Sequence, residues 1–121
     1  MRRESVSVHQ VALGDTDFTL LVSGSVAEDK IVKNIFVKND SSEGVVTSFA
    51  RVPRGETPGA EHECIVNASL AANGAIRVET DIPLPSAAQE SGLFDLYVKG
   101  DDEVIITADV RTVGEGEGLY V

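Results

Sequence analysis

Serine, histidine and cysteine side chains are the ones that could give this chain catalytic chemistry. Serines are numerous, but the sequence has only two histidines, His9 and His62. Hydrolysis requires a nucleophile, a base and an orienting group that converge in space. No G-x-S-x-G segment is present to expose a serine at a strand-to-helix turn. The sequence therefore favours two histidines at the surface or at an interface over a hydrolytic triad.

Cys64 is the single cysteine, so the chain has neither an internal disulfide nor the paired spacing of a cysteine metal site. His62 lies two residues earlier and would share a strand face with it. A catalytic thiolate requires an electropositive setting, whereas Glu61 and Glu63 flank this histidine. Because two apolar residues follow Cys64, we predict a small, buried apolar side chain.

Two acidic turns are the candidates for a metal ion. Asp15–Asp17 and Asp101–Glu103 supply loop carboxylates, which calcium prefers, although neither segment fits the twelve-residue EF-hand loop. Aspartate and glycine are also ordinary turn residues, so both interpretations stay open. Zinc would require three or four converging ligands, more than the histidines and the cysteine supply. No resident metal or cofactor is predicted.

The composition narrows the classes of partner. The 121 residues carry a formal net charge of −10, with 42% hydrophobic residues, 5% aromatic residues and no tryptophan. We expect one domain over residues 1–121, with a core of aliphatic side chains. The negative charge disfavours nucleic acid and anionic membranes. With no signal-peptide core and no transmembrane-length apolar run, we expect a protein made in the cytoplasm and not exported.

Short runs of β-forming residues alternate with turn signals along the whole chain, and no convincing helix is found. This pattern predicts an all-β fold, a single-domain antiparallel β-sandwich of about eight strands that is jelly-roll-like. Residues 1–4 and 114–121 are expected to form a flexible arm and tail. The predicted strands are Ser5–Leu13, Phe18–Ser23, Lys30–Asn39, Gly44–Val52, Cys64–Leu70, Ala75–Asp81, Leu93–Lys99 and Glu103–Val113, with long loops at Pro53–Glu63 and Ile82–Gly92.

The predicted strand Lys30–Asn39 is apolar on both faces. Simple alternation puts Ile35 and Val37, with Ile31 and Lys33, on one face. It puts Val32, Asn34, Phe36 and Lys38 on the other. The second face is too apolar for a freely solvated surface, so it lies either under the second sheet or at an interface between subunits.

Two stretches of the chain resemble a known family. Leu20–Ser48 has a short strand, a turn, a long apolar strand that ends in Asn, and a Ser/Gly turn. Asn67–Ile82 contains Leu-Ala-Ala-Asn-Gly, and a closing hairpin follows. Together these segments resemble the small β-sandwich domains of tailed-bacteriophage virion proteins. Two departures are the acidic turn Ala27–Lys30, where the family has Pro-Ala-Gly, and the loop Pro53–Glu63, which is individual to this chain.

The resemblance implies a structural protein of the virion. The leading expectation is a capsid decoration (cement) protein at the capsid surface, a homo-oligomer with a trimer favoured, bound to the major capsid protein of the same virion. Contacts are expected from the outer strand face, the long loop and both termini. The residues predicted to lie at interfaces are Arg2, Arg3, Val32, Phe36, Lys38, Arg54, His62, Leu119, Tyr120 and Val121. The Leu119–Val121 tip is expected either to dock in a neighbour's groove or to extend a sheet edge, and simple fraying is the other interpretation.

Three alternatives stay open. The protein could belong to the neck, tail or baseplate of the virion. It could be a carbohydrate-binding module of the jelly-roll type, although such sites usually stack sugars on aromatic rings and the candidates here are Tyr97 and Tyr120. An enzyme is the weakest alternative, since no convergent catalytic set is present, and no catalytic residue is predicted.

Overall fold

The structure, a computed structural model, describes residues 4–12, 17–100 and 104–114, and within them the side chains outside 4–12, 66–69 and 113–114. The described residues form eight strands and two short 3-10 turns, Ala60–His62 and Glu90–Gly92. The strands are β1 (Glu4–Ala12), β2 (Thr19–Ser23), β3 (Glu28–Asn39), β4 (Val45–Pro53), β5 (Glu63–Leu70), β6 (Ala75–Leu84), β7 (Phe94–Lys99) and β8 (Val104–Gly114).

Strand order identifies the topology. One sheet, sheet A, has the order β1-β8-β3-β6, and the other, sheet B, has the order β2-β7-β4-β5. All pairings are antiparallel. Every pair of consecutive strands except β4 and β5 is divided between the two sheets, and this arrangement is a jelly roll. The prediction of an all-β antiparallel sandwich is confirmed.

Aliphatic side chains fill the space between the two sheets. β3 and β8 supply the centre of sheet A, and β4 and β7 supply the centre of sheet B. β-branched residues and leucine suit these pleated, buried faces. Fully buried members of this core are Val22, Val32, Ile35, Val37, Phe49, Leu84, Leu96, Val98, Val104, Ile106, Ala108 and Val110.

A bulge in β3 corrects the predicted faces of this strand. Val32 lies opposite Val110 of β8, and Asn34 lies opposite the adjacent residue Asp109, so Lys33 is an extra residue in β3. An extra residue reverses the alternation beyond it. Val32 is therefore buried with Ile35 and Val37, and its prediction as an outward-facing interface residue was wrong.

The end of β6 corrects a second boundary. Ile82–Leu84 was predicted as the start of the loop Ile82–Gly92, yet these residues continue β6. Among the strands that the structure describes, β6 has a neighbour on one side only, namely β3. Proline is tolerated in an edge strand because its missing N–H costs no bond within the sheet.

Asn39 closes one end of the sandwich. Its side chain is fully buried, and its Nδ2 donates to the carbonyl oxygens of Glu43 (2.7 Å) and Ala71 (3.0 Å). Its Oδ1 accepts from the backbone N–H and the hydroxyl of Ser41, at 2.9 and 2.7 Å. The backbone N–H of Asn39 also donates to the carbonyl of Gly74 (2.8 Å). One amide therefore holds the β3–β4 turn against the β5–β6 turn.

Replacing Asn39 with alanine is expected to lower the free energy of unfolding by roughly 2–4 kcal/mol, because buried carbonyls lose their donors. Urea unfolding at neutral pH measures the loss. The matched control is Asn34→Ala, which removes the same side chain from the partly exposed outer face of the same strand and should cost less than about 0.5 kcal/mol. Equal losses in the two variants would contradict the role of Asn39.

Candidate interaction surface

The outer face of sheet A carries a shallow apolar groove. Beyond the bulge, Phe36 of β3 lies between Arg77 of β6 and Thr107 of β8, and Lys38 lies between Ala75 and Ile105. These two cross-strand rows put apolar side chains from three strands side by side. The groove has a volume of about 590 Å³, and we call it the outer-face groove; it is lined by Phe36, Val37, Lys38, Ala75, Ile76, Arg77, Ile105 and Thr107.

Exposure distinguishes this surface from the rest of the sheet. Phe36 is 42% exposed and Ile76 is 36% exposed, although both lie in strands. An exposed phenylalanine next to exposed aliphatic side chains is unusual for a solvated sheet, where polar residues normally alternate outward. The groove therefore has the character of a docking surface for an apolar partner.

Ion pairs surround the groove and leave its charge balanced. Lys38 Nζ lies 3.1 Å from Asp40 Oδ1, and Arg77 Nη2 lies 2.5 Å from Glu79 Oε1. Further along the same face, Lys33 pairs with Asp81. All of these side chains are substantially exposed, so each pair contributes little to stability. Their effect is to keep this face near neutral in a chain whose formal charge is −10.

Phe36 and Lys38 are thus brought together where the sequence predicted, on the outer face of the long strand. Ile76, Arg77 and Ile105 were not predicted as part of this surface. For Arg77 and Ile105 the signal was present in the alternation of their own strands, but the pairing register was needed to place them beside Phe36 and Lys38. Ile76 lies opposite the buried Val37 and borders the groove from the edge strand.

Arg54, predicted to lie at an interface, makes hydrogen bonds within the chain. Its Nη2 donates to Asp95 Oδ1 (2.7 Å) and its Nε to Asp95 Oδ2 (3.2 Å). Nη2 also donates to the carbonyl of Gly24 (2.9 Å), whose N–H in turn donates to Asp95 Oδ1 (3.0 Å). The hydrogen bond to Asp95 raises the pKa of Arg54. We call these contacts among Arg54, Asp95 and Gly24 the Arg54 clamp. The clamp joins the β2–β3 connection, the β4–β5 connection and β7 at the end of the sandwich opposite Asn39.

Gly24 cannot be exchanged at the centre of this clamp. A Cβ on Gly24 would lie 2.5 Å from the carbonyl oxygen of Phe94, closer than real Cβ atoms approach. The Gly24 N–H already donates to this same oxygen at 3.1 Å. The clamp thus depends on close backbone approach as well as on charge.

His62, also predicted to lie at an interface, folds the long loop on itself. Its Nδ1 accepts the backbone N–H of Gly59 (3.2 Å), and its Nε2 lies 3.2 Å from Glu56 Oε1. Because Nδ1 is an acceptor here, the neutral ring carries its proton on Nε2 and donates it to Glu56. The imidazole side chain is only 11% exposed, and both of its ring nitrogens contact residues of the same loop.

Cys64 is exposed, so the prediction that this residue is buried was wrong. The physical reason is its place at the start of β5, the strand at the edge of sheet B. Its Sγ donates to the carbonyl of Phe49 (3.6 Å). Partial desolvation of the thiol raises its pKa. The thiol is therefore less ionised than a free cysteine, the opposite of an activated nucleophile.

Several predicted residues lie outside the described part of the structure: Arg2, Arg3, Asp15, Asp101–Glu103, Leu119, Tyr120 and Val121. His9 lies on β1 opposite Ala108, and its side chain is not described. Tyr97 is half-buried on β7, between Leu20 and Ala50 of the neighbouring strands. Within residues 4–12, 17–100 and 104–114, no group of three or more His, Cys, Asp or Glu side chains is placed to hold a metal. No helix in that same part is long and apolar enough to cross a membrane.

Comparisons with known proteins identify the fold and no family. No protein-family model and no curated protein sequence matches the chain. Solved structures do match. A chain of the infectious bursal disease virus T13 particle has a TM-score of 0.54 at 11% identity, over 94% of this chain and 32% of that one. The VP2 subviral particle of the same virus has a TM-score of 0.53 at 12% identity, over 98% of this chain and 34% of that one.

A third match is of similar size to the chain. The virus-like particle of the extra small virus of the prawn Macrobrachium rosenbergii gives a TM-score of 0.54 at 7% identity, over 93% of this chain and 79% of that one. By contrast, the chain spans about a third of the length of the infectious bursal disease virus chains. At these identities the similarity shows the fold alone: a β-sandwich that viral capsid proteins also have.

The Arg54 clamp leads to a stability prediction. Arg54→Ala leaves the carboxylate of Asp95, whose side chain is 9% exposed, without its guanidinium, and we expect a loss of about 2–4 kcal/mol in the free energy of unfolding. Urea titration measures this loss in the isolated chain. Arg77→Ala removes an exposed ion pair and serves as the control, with an expected loss below about 0.5 kcal/mol. An Arg54 variant as stable as the Arg77 variant would contradict a stabilising role of Arg54 within the chain and would favour its predicted role at an interface.

The raised pKa of Cys64 leads to a reactivity prediction. The thiol should react with Ellman's reagent along a pH profile whose midpoint lies above the ordinary value of 9.0, because the thiolate is disfavoured by desolvation. The same chain unfolded in urea is the control and should react faster at a pH of about 8, below both midpoints. A folded-state midpoint below that of the unfolded chain would indicate an activated nucleophile instead.

Proposed function

We propose that this chain is a structural protein of a virion, a decoration protein that assembles as a homotrimer on the head shell of a tailed phage. The observation that carries the proposal is the jelly-roll strand order, with its match over 93% of the chain to a subunit of a virus-like particle. The resemblance of Leu20–Ser48 and Asn67–Ile82 to tailed-phage virion domains supports the phage assignment.

Charge favours the outside of the shell over the inside. A shell subunit that lines a packaged genome meets phosphates, and its contacts gain from lysine and arginine. This chain has 10 basic and 20 acidic residues, so such a surface would repel nucleic acid. A protein bound to the outer surface of an assembled shell avoids this repulsion and stabilises the shell by mass action, since it binds only the assembled lattice.

A second candidate is a shell-forming subunit. The specific observation in its favour is that the prawn virus-like particle is built from a chain of which this fold covers 79%. A small jelly roll without large insertions is therefore compatible with particle formation. The two candidates differ in whether the purified chain forms closed particles by itself.

The proposal includes no catalytic role. Of the residues that could supply chemistry, the ring nitrogens of His62 contact Gly59 and Glu56, and partial desolvation of the Cys64 thiol raises its pKa. These contacts support structural functions for both side chains.

Co-sedimentation with emptied, undecorated heads of the encoding phage tests the function. We expect the chain to pellet with heads, to remain in the supernatant without them, and to show three times the single-chain mass in light scattering. Recovery of the chain with purified tails would instead place it in the neck, tail or baseplate. Closed particles of the chain alone in electron micrographs would favour the shell subunit. Absence from both heads and tails would overturn a virion role.

A further inference from the structure

Three consecutive apolar residues, Leu119, Tyr120 and Val121, follow a segment in which glycine and glutamate alternate from Gly114 to Gly118. A sequence of alternating glycine and glutamate has the composition of a linker and supplies no apolar side chain to a core. β8 is described as far as Gly114, and the apolar triad begins five residues later. Short apolar motifs that follow such linkers gain stability by docking on a preformed surface.

The outer-face groove is a surface of the matching kind. Phe36 and Ile76 are exposed there, with Ile105 and Ala75 beside them, and Lys38 and Arg77 stand at its edge. A volume of about 590 Å³ is of the size that accommodates a few side chains. Lys38 and Arg77 at the rim are each paired with a carboxylate, so the rim is near neutral and does not repel a linker that carries Glu115 and Glu117.

Distance decides which copy's groove the triad can reach. Gly114 lies opposite Glu28, at the far end of sheet A from the groove. Thr107 and Ile105 lie seven and nine residues back along β8, which corresponds to about 23 and 30 Å. Leu119, five residues beyond Gly114, reaches at most about 18 Å in a fully extended chain, and Val121 reaches about 25 Å. A chain that must also reverse direction loses part of that reach, so the triad cannot fill the groove of its own copy.

We propose that Leu119–Val121 of one copy occupies the outer-face groove of a second copy. The inference rests on the proposed function only in requiring that copies associate. Burial of Phe36 and Ile76 against the triad provides the apolar contact, and the charge-balanced surroundings of the groove allow two acidic chains to meet there. Each copy both donates a triad and offers a groove, so the contact is satisfied either by two copies that exchange triads or by a closed ring of copies.

Disulfide trapping between two different variants tests the contact. Both carry Cys64→Ser; one adds Ala75→Cys in the groove and the other adds Tyr120→Cys. Mixed under mild oxidation, they are expected to yield a disulfide-linked peptide that joins position 75 of one variant to position 120 of the other. Mass spectrometry should find it at least tenfold above a control in which Ala88→Cys replaces Ala75→Cys. Ala88 is an exposed alanine in the β6–β7 connection, so the control makes the same substitution away from the groove.

Self-association provides the second measurement. In sedimentation velocity, Phe36→Asp and Leu119→Asp are each expected to raise the dissociation constant between copies at least tenfold. Val46→Asp is the control, because Val46 is similarly exposed, at 47%, on sheet B. An unchanged constant in both groove and triad variants would overturn the proposal.

Other occupants give different products. A disulfide that joins position 75 of two copies, in preference to the link between positions 75 and 120, would mean that two grooves face each other. A link within one chain that carries both substitutions would mean docking on its own copy. Either product overturns the proposal.

The outcomes also separate this contact from the proposed function. Failure of the trapping while the chain still binds phage heads would overturn the contact between the triad and the groove and leave the decoration role standing. Successful trapping without binding to phage heads or phage tails would support the contact between the triad and the groove and overturn the virion role.

Discussion

A single extra residue in the longest strand determines which side chains meet the core and which meet solvent. Before Lys33 the even-numbered Val32 points inward; after it the odd-numbered Ile35 and Val37 do. Without this residue Phe36 would enter the core, and two aliphatic side chains would be exposed. Since β3 is central in its sheet and pairs with both β6 and β8, the bulge sets both the inner packing and the outer-face groove.

The two ends of the sandwich are closed by polar groups that the aliphatic core cannot replace. Asn39 satisfies carbonyls of two turns at one end, and the Arg54–Asp95 fork joins Gly24 and the long loop at the other. At that second end Arg51 also donates to the carbonyl of Pro83 in the opposite sheet (2.8 Å) and lies over the ring of Phe94. Apolar packing is non-directional, so such directional contacts are what fix the turns relative to one another.

Alternation and turn chemistry were sufficient to predict the class of fold. Segments such as Phe18–Ser23 and the Asn39–Gly44 turn carry their structure locally, in β-branched residues and in turn formers. What alternation could not show was the extra residue at Lys33, because a bulge is a property of two paired strands and leaves no local mark. The error on Val32 follows from that. Phe36 and Lys38 were placed on one outer face because they lie on one strand, whereas Ala75, Arg77 and Ile105 join them only through the register of β6 and β8.

Net charge limits where copies of this chain can meet. Each copy carries a formal charge of −10, and at physiological ionic strength this repulsion is screened over about 8 Å. Contact surfaces closer than that must be locally neutral or complementary. Around the groove each cation has a carboxylate partner: Lys33 pairs with Asp81, Lys38 with Asp40, and Arg77 with Glu79. This balance coincides with the exposed Phe36 and Ile76. A chain of this charge that self-associates would therefore carry its acidic excess away from the contact surface.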